Sequence, residues 1–549
     1  MLRGDNRRAM HALRWFAALV ALGIAFTAAA QQEALPTLAE LEAQGATIGE
    51  IRVETQNIFD VDDPHESALP YRAANFLHIT TQPWLIRRLL LFKTGEPVQI
   101  RLIDETVRLI RQSSSVYDVS VRPLRYQDGI VDLEVRTRDT WTLEPGLRFR
   151  RAGGVNSGAI SIRETNLLGT GTTLGYERTT SVDRNGRSIE ISHEHLFDGW
   201  TSASLEHARF SDGSANTFSI ARPFYALDTR WAAGGSVSNF DRRDTIYEAG
   251  NNIAEYRHRN TAGEVYGGWS RGLIGGWTQR YFAGVNYIED SYSVLADQPL
   301  PAPLPMDRTL AGPYVRYEVL QDDFLPVINR ERIQRPEYFQ MGLHANVQVG
   351  RSLAAFGATD EPWQVSASLT KGLRIADNHQ LLSSLSFSTQ YGSALGDVRA
   401  FGASARYFIP RGGNYVLYLA TSADMVKSPN VADDLLLGGD NGLRGYPLRY
   451  QRGTRRMLFT AEQRYYTDWY PLRLFRVGLA AYADIGHAWG SQLPNPNNAW
   501  LGDVGVGLRF LNARTATGNV LHVDLAFPVP RTDASIRSPQ LVIMTAKAF

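Results

Sequence analysis

From Thr140 onward the chain alternates apolar and polar residues with a period of two. In 381–391, Leu381, Leu385, Phe387 and Tyr391 share one face, and Leu382, Ser384, Ser386, Ser388 and Gln390 share the other. In 365–375, Val365, Leu369, Leu373 and Ile375 oppose Ser366, Ser368, Thr370 and Arg374. In 521–527, Leu521, Val523, Leu525 and Phe527 oppose His522, Asp524 and Ala526. In 188–197, Ile189, Ile191 and Phe197 oppose Ser188, Glu190, Ser192 and Glu194. One apolar face at period two predicts half-exposed antiparallel strands. Turn signals separate them at Asn185-Gly186, Asp198-Gly199, Asp212-Gly213 and Gly412-Gly413. Alternation alone fits a soluble sandwich or propeller as well as a membrane barrel. Segment length favours the barrel: several runs reach the roughly 9–11 residues of a tilted span, against a globular mean of about 5–6. Tyr391, Tyr465, Tyr466, Trp469 and Tyr470 near strand ends suit an interfacial girdle.

Residues 47–139 read differently. Ile48, Ile51 and Val53 belong to a strand, followed by a loop through Asp62-Asp63-Pro64 and Leu69-Pro70. Thr81 or Gln82 caps a helix starting at Pro83, whose apolar side runs from Trp84 to Phe92 until Gly95-Glu96-Pro97 stops it. A second helix covers about Gln99 to Gln112, with Ile100, Ile103, Val107 and Ile110 on one face. A hairpin follows: Val116 to Leu124, a turn at Asp128-Gly129, then Ile130 to Arg136 with Val131, Leu133 and Val135 on one side.

Composition narrows the class. Among 549 residues there is no Cys, which excludes disulfide scaffolds, zinc ribbons, thiol catalysis and a lipoprotein anchor. Net charge is +1, so no bulk field recruits nucleic acid. Arg3, Arg7, Arg8 and Arg14 precede a short apolar run, Trp15 to Phe26, and Ala28-Ala29-Ala30 offers a cleavage site. Residues 1–30 therefore read as a signal peptide and 31–46 as a leader, with a helical turn or two at Leu38 to Glu42.

Strand, helix, helix, strand, strand over 47–139 resembles a POTRA domain, through Phe92-Lys93-Thr94-Gly95-Glu96-Pro97-Val98 and Tyr117-Asp118-Val119. The string Gly438-Gly439-Asp440-Asn441-Gly442-Leu443-Arg444-Gly445-Tyr446-Pro447, in a long connection 426–453, resembles the loop-tip signature of the bacterial surface antigen, or BamA–TamA, superfamily. Leu443 stands where that family usually has Val or Ile. Ala483-Asp484-Ile485-Gly486 with Trp489, Gly505-Val506-Gly507-Leu508-Arg509 and Val523-Asp524-Leu525-Ala526-Phe527-Pro528 extend the likeness. It implies an all-β transmembrane barrel (140–549) behind a small α+β periplasmic domain. Strand number must be even; the resemblance implies sixteen, and the residue pattern allows up to about twenty. Phe549 as a terminal aromatic suits an outer-membrane barrel, whereas Lys547 departs from that pattern.

Alternation also aims side chains. Across 475–485, Phe475, Val477, Leu479 and Ile485 mark the lipid face, so Asp484 and Arg476 point into the lumen. Met457 and Phe459 face lipid, so Glu462 and Arg464 point inward. A loop carrying Arg444 can fold into the lumen and pair its planar fork with Asp484, with Glu462 as second acceptor. Gly442 and Gly445 allow backbone that a side chain forbids, and Tyr446 packs beside the pair. The resemblance implies that this lock stabilises the barrel's working conformation.

Catalytic strings are weak. Gly268-Trp269-Ser270-Arg271-Gly272 spells a nucleophile elbow but lies in strand-like sequence without the required helix. His193-Glu194-His195 lacks the i, i+4 helical spacing of a zinc protease. The chain is not read as an enzyme and calls for no cofactor or metal. The resemblance implies assembly, insertion or translocation of polypeptides in the bacterial outer membrane. Expected partners are unfolded or nascent polypeptides, outer-membrane lipid and periplasmic accessory proteins. A two-partner-type secretion pore or a passive channel is the alternative.

Overall fold

The computed structural model describes residues 35–113, 115–296, 304–430, 433–491, 493, 498–514, 519–529, 536 and 538–546. The signal-peptide reading at 1–30, Lys547 and Phe549 lie outside them.

Helix α1 (Leu38–Ala43) opens with a capping box: Thr37 Oγ1 accepts from the Glu40 N–H at 3.3 Å, and Glu40 Oε2 accepts from the Thr37 N–H at 2.7 Å. Strand β1 is Thr47–Gln56. Helix α2 (Leu69–Leu77) occupies sequence read as loop. Its Leu69-Pro70 start misled, because proline in a first helical turn is as natural as in a turn. Helix α3 (Pro83–Arg88) is shorter than the Trp84–Phe92 run suggested. The chain leaves helical geometry where the Leu91 N–H donates to Thr106 Oγ1 at 3.1 Å instead of to its own turn. Helix α4 (Ile100–Gln112) buries Ile103 and Ile110. Strands β2 (Val116–Gln127) and β3 (Ile130–Asp139) join through Asp128 (φ 51°) and Gly129 (φ 79°), both left-handed as a two-residue hairpin turn requires. The sheet order is β1-β3-β2, and Val131, Leu133 and Val135 of the middle strand are buried.

The chain forms two compact units. One is Met1–Arg52 with Phe92–Ile103 and Val121–Val135; the other is Val53–Leu91 with Asp104–Ser120 and Arg136–Phe549. Inside the second, Asp139 Oδ2 accepts from the Thr81 N–H at 2.6 Å and lies 3.0 Å from His78 Nε2, and Arg514 pairs with Glu66.

The second unit contains a closed barrel of twenty antiparallel strands, from Leu143–Ala152 to Gln540–Ala546. Twenty is even, at the top of the pattern's range, and four more than the resemblance implied. Its exposed face is apolar: Leu174, Ile189, Ile191, Leu205, Val265, Leu385, Phe387, Val506 and Leu525 all lie on it. Its covered interior holds Glu462, Arg464, Asp484, Asp503, Arg509 and Asp524. Apolar outside with charge inside is the inverse of a soluble sandwich and the pattern of a lipid-embedded barrel.

Two expectations about facing fail. Val477 is buried although it alternates with exposed Phe475 and Leu479; the Thr467 hydroxyl donates to its carbonyl at 2.8 Å. Tyr466 belongs to no girdle; it shares parity with Glu462 and Arg464, so its ring is inside and its hydroxyl donates to the Arg330 carbonyl at 2.8 Å. Gly268 to Gly272 lie within the strand Asn251–Ile274, where Ser270 Oγ accepts from the Gly272 N–H at 2.9 Å. His193 and His195 each lie beside a backbone carbonyl, of Gly171 and Gly199 respectively.

Candidate functional site

The strand Leu143–Ala152 begins at one end of the barrel, here the near end. Because strands alternate in direction, the connection after Tyr415–Lys427 emerges at the far end. It turns into the lumen through the hairpin Leu435–Leu437 with Gln451–Gly453. Its tip is tightly wound: the Asn441 and Leu443 N–H groups both donate to the Gly438 carbonyl, and the Tyr446 N–H donates to that of Leu443. Gly442 has φ +113°, and a Cβ there would meet Leu458 Cδ2 at 2.2 Å. A Cβ on Gly445 would stand 2.8 Å from that of Asp503. Bare backbone at both positions lets the tip sit flush against the wall.

Arg444 projects from this tip. Its Nε and Nη2 donate to Asp484 Oδ2 and Oδ1 at 2.8 and 3.1 Å, a bidentate fork. Its Nη1 lies 3.0 Å from Glu462 Oε1 and 3.5 Å from Asp524 Oδ2. Its guanidinium carbon stands 3.3 Å from the ring centre of Tyr482. Burial by itself would lower the Arg444 pKa; the charges of Asp484 and Glu462 outweigh it and hold the group well above its ordinary value. Thr460 Oγ1 donates to Asp484 Oδ1 at 2.7 Å, and the Gly445 N–H donates to Asp503 Oδ2 at 3.0 Å. Tyr446 is buried beside the pair and donates from its hydroxyl to the Gly502 carbonyl at 3.2 Å. Four neighbouring strands thus supply acceptors to one loop: Arg455–Tyr466, Phe475–Trp489, Leu501–Asn512 and Val520–Pro528. Arg476 stays apart, over the ring of Tyr470 at 3.7 Å.

A second attachment lies five residues on. Arg449 donates from both terminal nitrogens to the Asp183 carboxylate at 2.7 Å each, and stands over Tyr247 at 4.2 Å. Arg449 draws the Asp183 carboxyl below the usual aspartate range. Arg452 donates to the Tyr247 carbonyl at 2.7 Å and pairs with Asp434 at 3.1 Å.

The near end also sends a segment inward, the connection 322–343 with its hairpin Phe324–Val327 and Glu337–Gln340. Val327, Ile333, Phe339 and Met341 pack against Phe408, Val416, Tyr466 and Leu511. Arg330 donates to Gln380 Oε1 at 2.7 Å and Asn378 Oδ1 at 2.8 Å. Arg464 links the near-end segment to the far-end loop through Glu462, which also accepts Arg444. Its Nε donates to Glu462 Oε2 at 3.0 Å and its Nη1 to the Arg330 carbonyl at 2.9 Å.

Sequence reasoning missed Asp503, Arg509, Asp524 and Tyr482. The parity that points Asp484 inward finds them too, since outward Val504, Val506 and Leu508 leave Asp503 and Arg509 facing in. It missed the Arg330 segment for lack of any signal: no motif reports the path of a connection.

No protein-family model and no curated protein matches the chain. Solved structures do. The chain is similar to BamA from Haemophilus ducreyi lacking POTRA domains 1-3, at 14% identity over 90% of this chain and 84% of that one, TM-score 0.42. It is similar to CdiB from Escherichia coli, at 12% identity over 92% and 77%, TM-score 0.46. It is also similar to the FrpB iron transporter from Neisseria meningitidis, at 11% identity over 79% and 89%, TM-score 0.39.

Proposed function

We propose that this chain is a bacterial outer-membrane barrel that inserts or translocates other polypeptides. In this reading residues 1–30 are a signal peptide, 31–46 a leader, 47–139 a periplasmic POTRA domain and 140–549 the barrel. The near end then faces the periplasm. Its partners are unfolded or nascent polypeptides and outer-membrane lipid, with periplasmic accessory proteins at the near end. An incoming chain adds to the outer strand β2, gaining main-chain hydrogen bonds that tolerate many sequences.

The observation that carries insertion is the barrel's seam. Among the described residues, the last strand meets the first through a single registered pair, Ile543 opposite Arg151. On its other side it is registered along its whole length, Gln540–Ala546, to Val520–Pro528. A sparsely paired seam is the least costly place to open the wall, because few backbone hydrogen bonds must be replaced. The lock around Arg444 acts on the four strands leading to the last one.

The chain has no Cys, so Arg151→Cys with Ile543→Cys closes the seam by oxidation without side products. Oxidation is expected to stop delivery of substrate barrels to the membrane, and reduction to restore it. Delivery that continues through an oxidised seam would remove the insertion reading. It would favour a two-partner-type secretion pore, for which the two segments inside the lumen are the supporting observation. A passive channel fits less well, because both inward segments obstruct free diffusion.

A further inference from the structure

The outer wall carries a charge arrangement that neither the lock nor the seam uses. Arg178, Arg187 and Arg209 lie directly opposite one another across three adjacent strands, Thr172–Thr180, Asn185–Leu196 and Thr201–Phe210. Directly opposed residues sit about 4.5–5.5 Å apart, and like charges so placed repel. All three are exposed, and among the described residues none has a carboxylate at ion-pair distance. The two acidic residues in the turns above are engaged elsewhere: Asp183 by Arg449, and Asp212 by Arg184 at 3.6 Å and the Arg243 N–H at 3.0 Å. Glu177 and Glu190 pair with Arg148 and Arg163 on the opposite face of the wall.

The rows beneath fix which way the three arginines point. Two residues nearer the barrel's middle the same strands align Tyr176, Ile189 and His207; two further on they align Leu174, Ile191 and Leu205. Leu174, Tyr176, Ile189, Ile191 and Leu205 are all exposed on the outer face. Side chains two apart share a face, so the guanidinium row continues the apolar belt at its far-end edge. On the same face, Asp241 sits between Arg257 and Arg259 and pairs with both, with Arg257 at 2.7 Å and Arg259 at 3.3 Å. The wall therefore supplies its own anion at one place and omits it at the other.

We propose that Arg178, Arg187 and Arg209 bind the phosphate headgroup of an outer-leaflet lipid whose acyl chains lie along Leu174, Ile189, Ile191 and Leu205. This rests on the outer-membrane reading, which puts the far end at the outer leaflet. Three planar forks within about 10 Å suit a phosphorylated glycolipid headgroup, since guanidinium groups bind phosphate oxygens bidentately. The apolar rows select a lipid over an acidic protein, because a protein partner would have to displace lipid from them.

The test uses the full-length protein in phosphatidylcholine nanodiscs, with lipid retention read by native mass spectrometry. Diphosphoryl lipid A, its dephosphorylated form and inorganic phosphate are the probes. Wild-type protein is expected to retain the diphosphoryl form at least about tenfold better than the dephosphorylated one, as charge-assisted hydrogen bonds imply. R178Q/R187Q/R209Q loses that preference, R187Q alone loses part of it, and R243Q keeps it. Heat-modifiable mobility checks folding of the triple variant; R187Q decides if it does not fold. Equal retention by wild type and variants overturns the proposal, as does inorganic phosphate binding as tightly as the lipid. Recovery of the wild-type chain as a water-soluble species overturns the membrane reading as well, a result distinct from insertion with equal retention.

Discussion

Two segments occupy the lumen from opposite ends, and they are held by different forces. The near-end connection 322–343 is seated by apolar packing, Ile333, Phe339 and Met341 against Phe408, Val416 and Leu511, and by hydrogen bonds of Arg330 to neutral partners, while its ion pairs Arg374–Asp323 and Arg406–Glu331 are part-exposed. The far-end loop also packs apolar residues, Leu437, Leu443 and Tyr446 among them, but adds a desolvated ionic fork. Apolar packing fades gradually as surfaces separate. Separating a buried ion pair costs more, because the departing cation leaves its carboxylate unpaired. Arg464 touches both arrangements, so moving one perturbs the other.

That contrast can be broken in stages. Arg444→Ala should have the largest effect, since it leaves Asp484 without its bidentate cation while Glu462 keeps Arg464; removing one partner of a buried pair costs about 3–5 kcal/mol. Loop release should appear as new protease cleavage within 428–454, a lower unfolding temperature and larger conductance in planar bilayers. Unchanged cleavage would mean the apolar cluster alone holds the loop. Arg464→Ala should rank second, at about 1–3 kcal/mol for unsatisfied acceptors, because Glu462 keeps Arg444 within 3.0 Å. Its distinguishing mark is protease sensitivity at both 322–343 and 428–454; sensitivity at one segment only would disprove the coupling. Arg449→Ala should do least, under about 1 kcal/mol. Its carboxylate partner is part-exposed, and water and salt screen that pair despite its two 2.7 Å bonds. An effect as large as that of Arg444→Ala would erase the distinction between the anchors.

Acid refines the smallest term. Arg449 draws the Asp183 carboxyl below its ordinary value, so its contribution to stability is complete above the unfolded aspartate pKa. It is lost only as pH falls through the lower folded value. The difference in unfolding temperature between wild type and Arg449→Ala should therefore hold from neutral pH into mild acid and vanish below it. A difference that disappears near neutral pH would contradict the assignment.

Much of this is legible in the sequence. Strict alternation in 381–391 and 521–527 exposed the strands and their two faces, and parity from Phe459 and Leu479 aimed Glu462 and Asp484 inward. Parity does not report burial, and Val477 is buried although it alternates with exposed Leu479. Tyr466 lies near a strand end, yet its parity with Glu462 and Arg464 places its ring inside. Helix α2 escaped because a proline in the first turn reads equally well as a loop.

The sequence by itself determined the strand pattern, which side of each strand is greasy, and that an arginine between glycines sits on a long connection. Those are local properties, set by residue type and by a repeat of two along the backbone. Only the tertiary structure decided that the barrel closes at twenty strands, that four strands converge on Arg444, and that a second segment enters from the near end. Cross-strand register, here set by two hairpins, also brings Arg178, Arg187 and Arg209 side by side. Each depends on which residues meet across different strands, and register between strands leaves no mark within any one of them.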